Sequence, residues 1–184
     1  MLFRSPAAFP TPADWNHWLA SNQGAREVWV LYHKKGSGVP SIDWPQAVIE
    51  ALAHGWIDGI RKSLSDTQWI QRFTPRKPGS AWSLINIAHA ERLIAEGLMT
   101  PRGQAAVDIA RANGQWDRGY SASNPADLPP DFLAALTAAN LPVPTSKRAR
   151  FIIHYRLTTA KRPETRQKRI ADFIAKLAAG TPLV

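Results

Sequence analysis

The chain has 184 residues, 45% of them hydrophobic and 20% charged. That balance suits one globular domain, or one domain with a small appended module, and excludes disordered and fibrous chains. Cysteine is absent, which excludes disulfides, thiolate metal sites and cysteine nucleophiles. No apolar run reaches the ~18 residues of a membrane span. Residues 1–15 carry one arginine and three prolines without a continuous apolar stretch, so no secretory signal is read and the expected location is cytoplasmic.

The net charge of +9 is unevenly placed. Residues 1–140 hold 13 Lys/Arg against 12 Asp/Glu, a balance of +1, whereas residues 141–184 hold 10 against two, a balance of +8. Excess positive charge in the last quarter of a chain invites an anionic partner such as nucleic acid or a phosphorylated ligand, and is equally the signature of a solvated basic face.

In chain order, Thr11-Pro12 opens a first helix, with Trp15, Trp18 and Leu19 on its apolar side. Residues 27–33 are rich in β-branched and aromatic residues and read as a strand, followed by the loop Lys34-Lys35-Gly36-Ser37-Gly38. Asp43 and Gln46 form a capping box for a helix to Ala53, which Gly55 ends. Residues 56–62 and 68–74 read as two strands of a hairpin. With the turn centred on Ser65, Ile60 would face Ile70, Ile57 would face Phe73 and Asp58 would face Arg72. After Pro75–Gly79, Ser80 is expected to cap a helix to Glu96, buried through Leu84, Ile87, Ala88, Ile94 and Ala95, with Trp82, Asn86, His89 and Leu93 on a more polar stripe. Thr100-Pro101 opens the next helix, which ends at Gly114. Helices are expected over 130–139, over 145–160 with Thr145 as cap, and over 163–179 with Ile170, Phe173, Ile174 and Leu177 as its core face. The expected fold is therefore α+β: a small, three-stranded, largely antiparallel sheet packed with helices over residues 1–116, a linker or ordered loop over 117–130, and a basic C-terminal helical module over 131–184.

Three segments carry a resemblance: Ala51–Gly59 (ALAHGWIDG), Arg72–Ser83 (RFTPRKPGSAWS) and Ala160–Ile170 (AKRPETRQKRI). Together they resemble the YdeI/OmpD-associated family, also called bacteriocin-protection proteins, over about Trp15 to Gly180. The resemblance implies a link to envelope stress and porins, with action through a protein partner as one consequence. It supplies no catalytic residues.

The residues themselves point to an anion site at the start of the Ser80 helix. Arg72, Arg76, Lys77 and Lys62 would gather near helix N-terminal amides around Ser80 and Ser83, between the indoles of Trp56 and Trp82, with Asp58, Asn86 and Lys34 contributing. The ligand would be small and bear a phosphate or carboxylate. The structural alternative is that Asp58 neutralises Arg72, the tryptophans are core and Ser80 is only a cap. The Lys34–Gly38 loop lacks the order of a phosphate-binding P-loop. In the C-terminal module Arg162, Arg166 and Arg169 share one helix side and would grip a polyanion such as nucleic acid, the less favoured partner. No His-x-x-x-His pair and no Gly-x-Ser-x-Gly elbow occurs, so no metal, cofactor or reaction class is read from the sequence, and His89 is the one histidine placed for acid–base work.

Overall fold

A computed structural model describes residues 5–120 and 128–183. Its elements are β1 (Ala7–Ala8), α1 (Pro12–Ser21), β2 (Val28–His33), α2 (Trp44–Ala53), β3 (Trp56–Ser63), β4 (Gln68–Pro75), α3 (Leu84–Ala95), α4 (Pro101–Ala112), α5 (Pro130–Ala138), α6 (Lys147–Thr158) and α7 (Pro163–Ala178). The fold is α+β. The sheet has four strands rather than three, in the order β1-β2-β4-β3, with β1 parallel to β2 and the other pairs antiparallel. The added strand is only two residues long, too short to leave a period in the sequence. The chain forms two compact units, one of residues 5–82 with 86–118, the other of 83–85 with the described residues from 119 onward. Half of the linker expected at 117–130, residues 121–127, lies outside the described residues.

In the first unit, two capped helices lie on one face of the sheet. Thr11 and Asp14 form a full capping box at α1, and Asp43 and Gln46 do so at α2. The Trp15 indole N–H donates to the Ala47 carbonyl at 3.0 Å, tying the two helices together. The buried cluster includes Trp15, Leu19, Val30, Tyr32, Leu52, Trp56 and Phe73. α4 approaches α2 closely. The Thr100 hydroxyl and amide both donate to the Ala53 carbonyl, at 2.6 and 3.1 Å, and an added Cβ at Gly103 would lie 2.2 Å from that oxygen. Gly55 turns the chain from α2 into β3 with φ +72°, a conformation that disfavours a side chain.

The hairpin register differs from the expected one. Asp58 lies across from Phe73 and Ile57 from Thr74, while Arg61 lies across from Gln71 and Lys62 from Ile70. Gly59 and Ile60 thus both fall opposite Arg72, a β-bulge between Asp58 and Arg61. A turn centred one residue further on, together with this extra residue, defeats the symmetric pairing. Because side chains alternate between faces, Trp56, Asp58 and Arg61 share the helix-covered face with Tyr32, Trp69 and Phe73, and Lys62 and Arg72 lie on the other.

α3 begins at Leu84, not Ser80. Ser80 instead closes a turn, its hydroxyl accepting from the Lys77 amide at 3.0 Å. The buried positions of α3 are Ala90 and Leu93; of the expected stripe Ile87 and Ile94 pack against the core, whereas Leu84, Ala88 and Ala95 are exposed.

The second unit contains α5, α6 and α7 around Leu128, Phe132, Leu136, Ile153, Leu157, Phe173 and Leu183. The Phe132 and Phe173 rings meet edge-on at 6.2 Å. Ile170, Ile174 and Leu177 pack against this cluster as their spacing indicated. Ser146, not Thr145, caps α6, accepting from the Ala149 amide.

Candidate functional site

The residues expected to form the anion site lie in several places. Trp56 and Trp82 are 0% and 3% exposed and belong to the core, so neither presents a flat wall to a ligand. Arg72 donates through Nε and Nη2 to one oxygen of Glu27, at 2.8 and 2.5 Å, so its carboxylate partner is Glu27 and not Asp58. Asp58 accepts from the Gln71 amide at 2.7 Å and the Trp44 indole at 3.2 Å. Lys62 sits over the Trp29 ring at 5.0 Å. The Arg76 guanidinium stacks on Trp82 at 3.6 Å and donates to the Ala81 carbonyl, while Lys77 is exposed. Ser83 is buried and pairs with Tyr120 in the second unit, whereas Asn86 is half-buried in the first. Arg76 and Trp82 are therefore the one cation and indole of the set in direct contact. His89 is half-buried on α3. Among the described residues no three His, Asp or Glu side chains lie together as metal ligands would.

Lys34 leads elsewhere. It lines a cavity of about 650 Å³ formed by the end of β2, the loop after it, the N-terminus of α2 and Trp69 of β4. Tyr32 also lines it, is 1% exposed, and its hydroxyl has no hydrogen-bond partner. Its ring stacks on Trp69 at 3.9 Å and 5°, and the Arg61 guanidinium lies 4.1 Å from the Trp69 ring centroid. Burial, with the carboxylates of Asp58 and Asp43 nearby, pushes the Tyr32 hydroxyl far above its ordinary pKa. It therefore stays protonated and available as a donor. Lys34 and Lys35 are exposed at the loop, and Trp44 is 47% exposed at the start of α2. The Asp43 carboxylate also lines the cavity, but it already accepts the Gln46 amide at 2.9 Å. The arrangement offers two ammonium groups and a phenol donor beside an exposed indole. That is the donor set for an anionic group on an apolar body.

The sequence reading missed Tyr32, Trp44 and Trp69 because they fall on three separate elements. The signal within reach was Tyr32 two residues before Lys34, with Trp44 directly after the capping Asp43.

In the second unit the arginine stripe is divided by its contacts. Arg166 forms a two-bond ion pair with Asp131, at 2.7 and 2.8 Å, and donates to the Leu157 carbonyl at 2.6 Å. Arg169 donates to the Arg156 carbonyl. Two arginines of α7 thus donate to consecutive carbonyls in the last turn of α6, where the Leu157 carbonyl also accepts the Ala160 amide at 3.3 Å. The hydrogen bond from Arg166 holds the Asp131 carboxyl below its usual range. Arg162 is exposed at the start of α7. The stripe therefore works first as a clamp of the α6–α7 hairpin.

Residues 7–106 match the family model described as Domain of unknown function (DUF8412), which covers more than half of the chain. The chain belongs to this family. The cavity lined by Tyr32 and Lys34 lies wholly inside the DUF8412 region. Residues 145–180 match a second model, described as Bacteriocin-protection, YdeI or OmpD-Associated. That match holds the third of the three segments, 160–170, and most of the hairpin clamp. The first two segments, 51–59 and 72–83, fall in the DUF8412 region instead, so the resemblance expected from Trp15 to Gly180 narrows to the C-terminal stretch. No curated protein and no solved structure matches the chain. No helix among the described residues is long and apolar enough to cross a membrane.

Proposed function

We propose that this DUF8412 protein binds a small ligand carrying a phosphate or carboxylate on an apolar body, in the cavity at the end of β2. The observation that carries the reading is the Tyr32 hydroxyl, a buried donor without a partner on a residue that lines a cavity edged by Lys34 and Lys35. Buried polar groups are almost always satisfied, and one left open beside a cavity is a place where a ligand atom completes the set. Lys34 and Lys35 supply charge without an ion pair to any carboxylate among the described residues, and the exposed indole of Trp44 supplies apolar contact. This relocates the anion site from the start of α3 to the start of α2 and retains Lys34 from the earlier set.

The test is a melting-temperature screen of the whole chain with inorganic phosphate, acetate, phenyl phosphate and benzoate. Phenyl phosphate or benzoate is expected to raise the melting temperature more than the ring-free ions do. Lys34→Gln and Tyr32→Phe are each expected to remove most of that rise. No rise with any of the four, or a rise that both variants keep, would refute the proposal.

A further inference from the structure

A second cavity, of about 320 Å³, lies in the α6–α7 hairpin and is lined by Arg156, Arg169, Asp172, Phe173, Ala175 and Lys176. Arg169, Asp172, Phe173 and Lys176 follow one another at three- and four-residue spacing on one side of α7, and Arg156 comes from the last turn of α6. Phe173 is 2% exposed, with the Arg156 guanidinium 5.7 Å from its ring centroid. The Arg169 bond to the Arg156 carbonyl uses Nη1 and fixes the guanidinium beside the cavity, leaving Nε and Nη2 as further donors. Among the described residues none of Arg156, Arg169 and Lys176 forms an ion pair; those present are Arg72–Glu27, Arg92–Glu96 and Arg166–Asp131. Three cations and one carboxylate therefore meet in one concave space with a net charge of +2.

We infer that this hairpin holds a phosphoryl-binding site formed by Arg156, Arg169 and Lys176. Arginine offers its fork to two oxygens of one phosphoryl group, and lysine supplies a point charge to a third. The net charge of +2 favours a group of at least two negative charges over a monoanion, and the neighbouring Asp172 weakens that attraction. The chemistry differs from the stripe of Arg162, Arg166 and Arg169, because Arg166 is closed by Asp131 and Arg162 does not line the cavity. The phosphoryl group has two sources, a free phosphorylated metabolite or the backbone of a nucleic acid.

The experiment titrates the whole chain with pyrophosphate by calorimetry and, separately, with a labelled single-stranded 12-nucleotide DNA by fluorescence anisotropy. The variants are Lys176→Gln, Asp172→Asn and Lys161→Gln, the last in the exposed turn outside the cavity. Loss of one charge-assisted contact is expected to weaken pyrophosphate binding about tenfold in Lys176→Gln. Asp172→Asn is expected to tighten it several-fold, and Lys161→Gln to leave it within twofold. The same ranking with DNA alone would identify the backbone as the source and support the site equally. Absence of binding to both probes, or equal weakening by Lys161→Gln and Lys176→Gln, would overturn the site and leave only diffuse positive charge.

Discussion

Tyr32→Phe separates the cost of the cavity's open donor from its use. The substitution keeps the ring and its stack on Trp69 at 3.9 Å and removes only the hydroxyl oxygen, which has no partner. A buried polar group without a hydrogen bond costs ~1–3 kcal/mol. Removing one oxygen leaves a space too small for a dry void of consequence, so we take the lower part of that range, a gain of ~1–2 kcal/mol. For a chain of this size each kcal/mol moves the melting temperature by ~2–4 °C, giving a rise of ~2–8 °C without ligand. The assay is thermal unfolding followed by circular dichroism in a buffer free of phosphate and carboxylates, repeated with phenyl phosphate. In its presence the order should reverse or close, because only the wild type gains the extra bond. A ligand-free variant that melts below the wild type would show that the hydroxyl is satisfied in solution, and the reasoning from an open donor would fail.

Two further outcomes follow from packing and charge. Gly103→Ala would place a methyl group 2.2 Å from the Ala53 carbonyl oxygen and 2.4 Å from the Met99 sulfur, forcing α4 off α2 and breaking the two Thr100 bonds to that oxygen. Overpacking of ~1–3 kcal/mol and lost hydrogen bonds of ~1 kcal/mol each outweigh the ~1 kcal/mol helix preference of alanine, so urea unfolding should show a net loss of ~2–4 kcal/mol, where an unconstrained helix would show a gain. The Asp131 carboxyl is held below its unfolded pKa by Arg166, so its contribution is present in full above the unfolded carboxylate range and is lost as pH falls through the lower native value. With the Asp131 side chain 44% exposed, the pair contributes about 1 kcal/mol. Urea unfolding at neutral pH and near pH 2 should differ by less in Asp131→Asn than in the wild type, and an unchanged difference would count against the clamp.

Much of the fold was legible because its local signals are strong. Thr11 and Asp43 cap α1 and α2 as their spacing indicated, and the core face of α7 reads directly from Ile170, Phe173, Ile174 and Leu177. The failures are non-local. The bulge at Gly59 and Ile60 is a choice between two pairings of similar local quality, decided by which side chains reach the helices. Ser80 looks like a helix cap because serine serves turns and caps by the same hydrogen bond. The first candidate site was less legible than the fold. Arg72 lies beside Asp58 in the assumed register, yet its partner is Glu27, 45 residues away in sequence. The site favoured by the geometry depends on a tyrosine, an exposed tryptophan and a lysine loop whose proximity only the sheet order reveals.

The extra residue in β3 has a consequence for how this protein tolerates change. β3 is an outer strand and much of it is exposed, the usual place for insertions and deletions to be harmless. Here the count of residues decides whether the outer strand carries a bulge. Loss of Ile60 would leave Gly59 alone opposite Arg72 and restore an unbroken ladder, with Arg61 still opposite Gln71 and Lys62 still opposite Ile70. It would also straighten the rim of the sheet into the flat template on which copies of a protein can stack. Exposure at this rim therefore gives freedom of residue type but not of length.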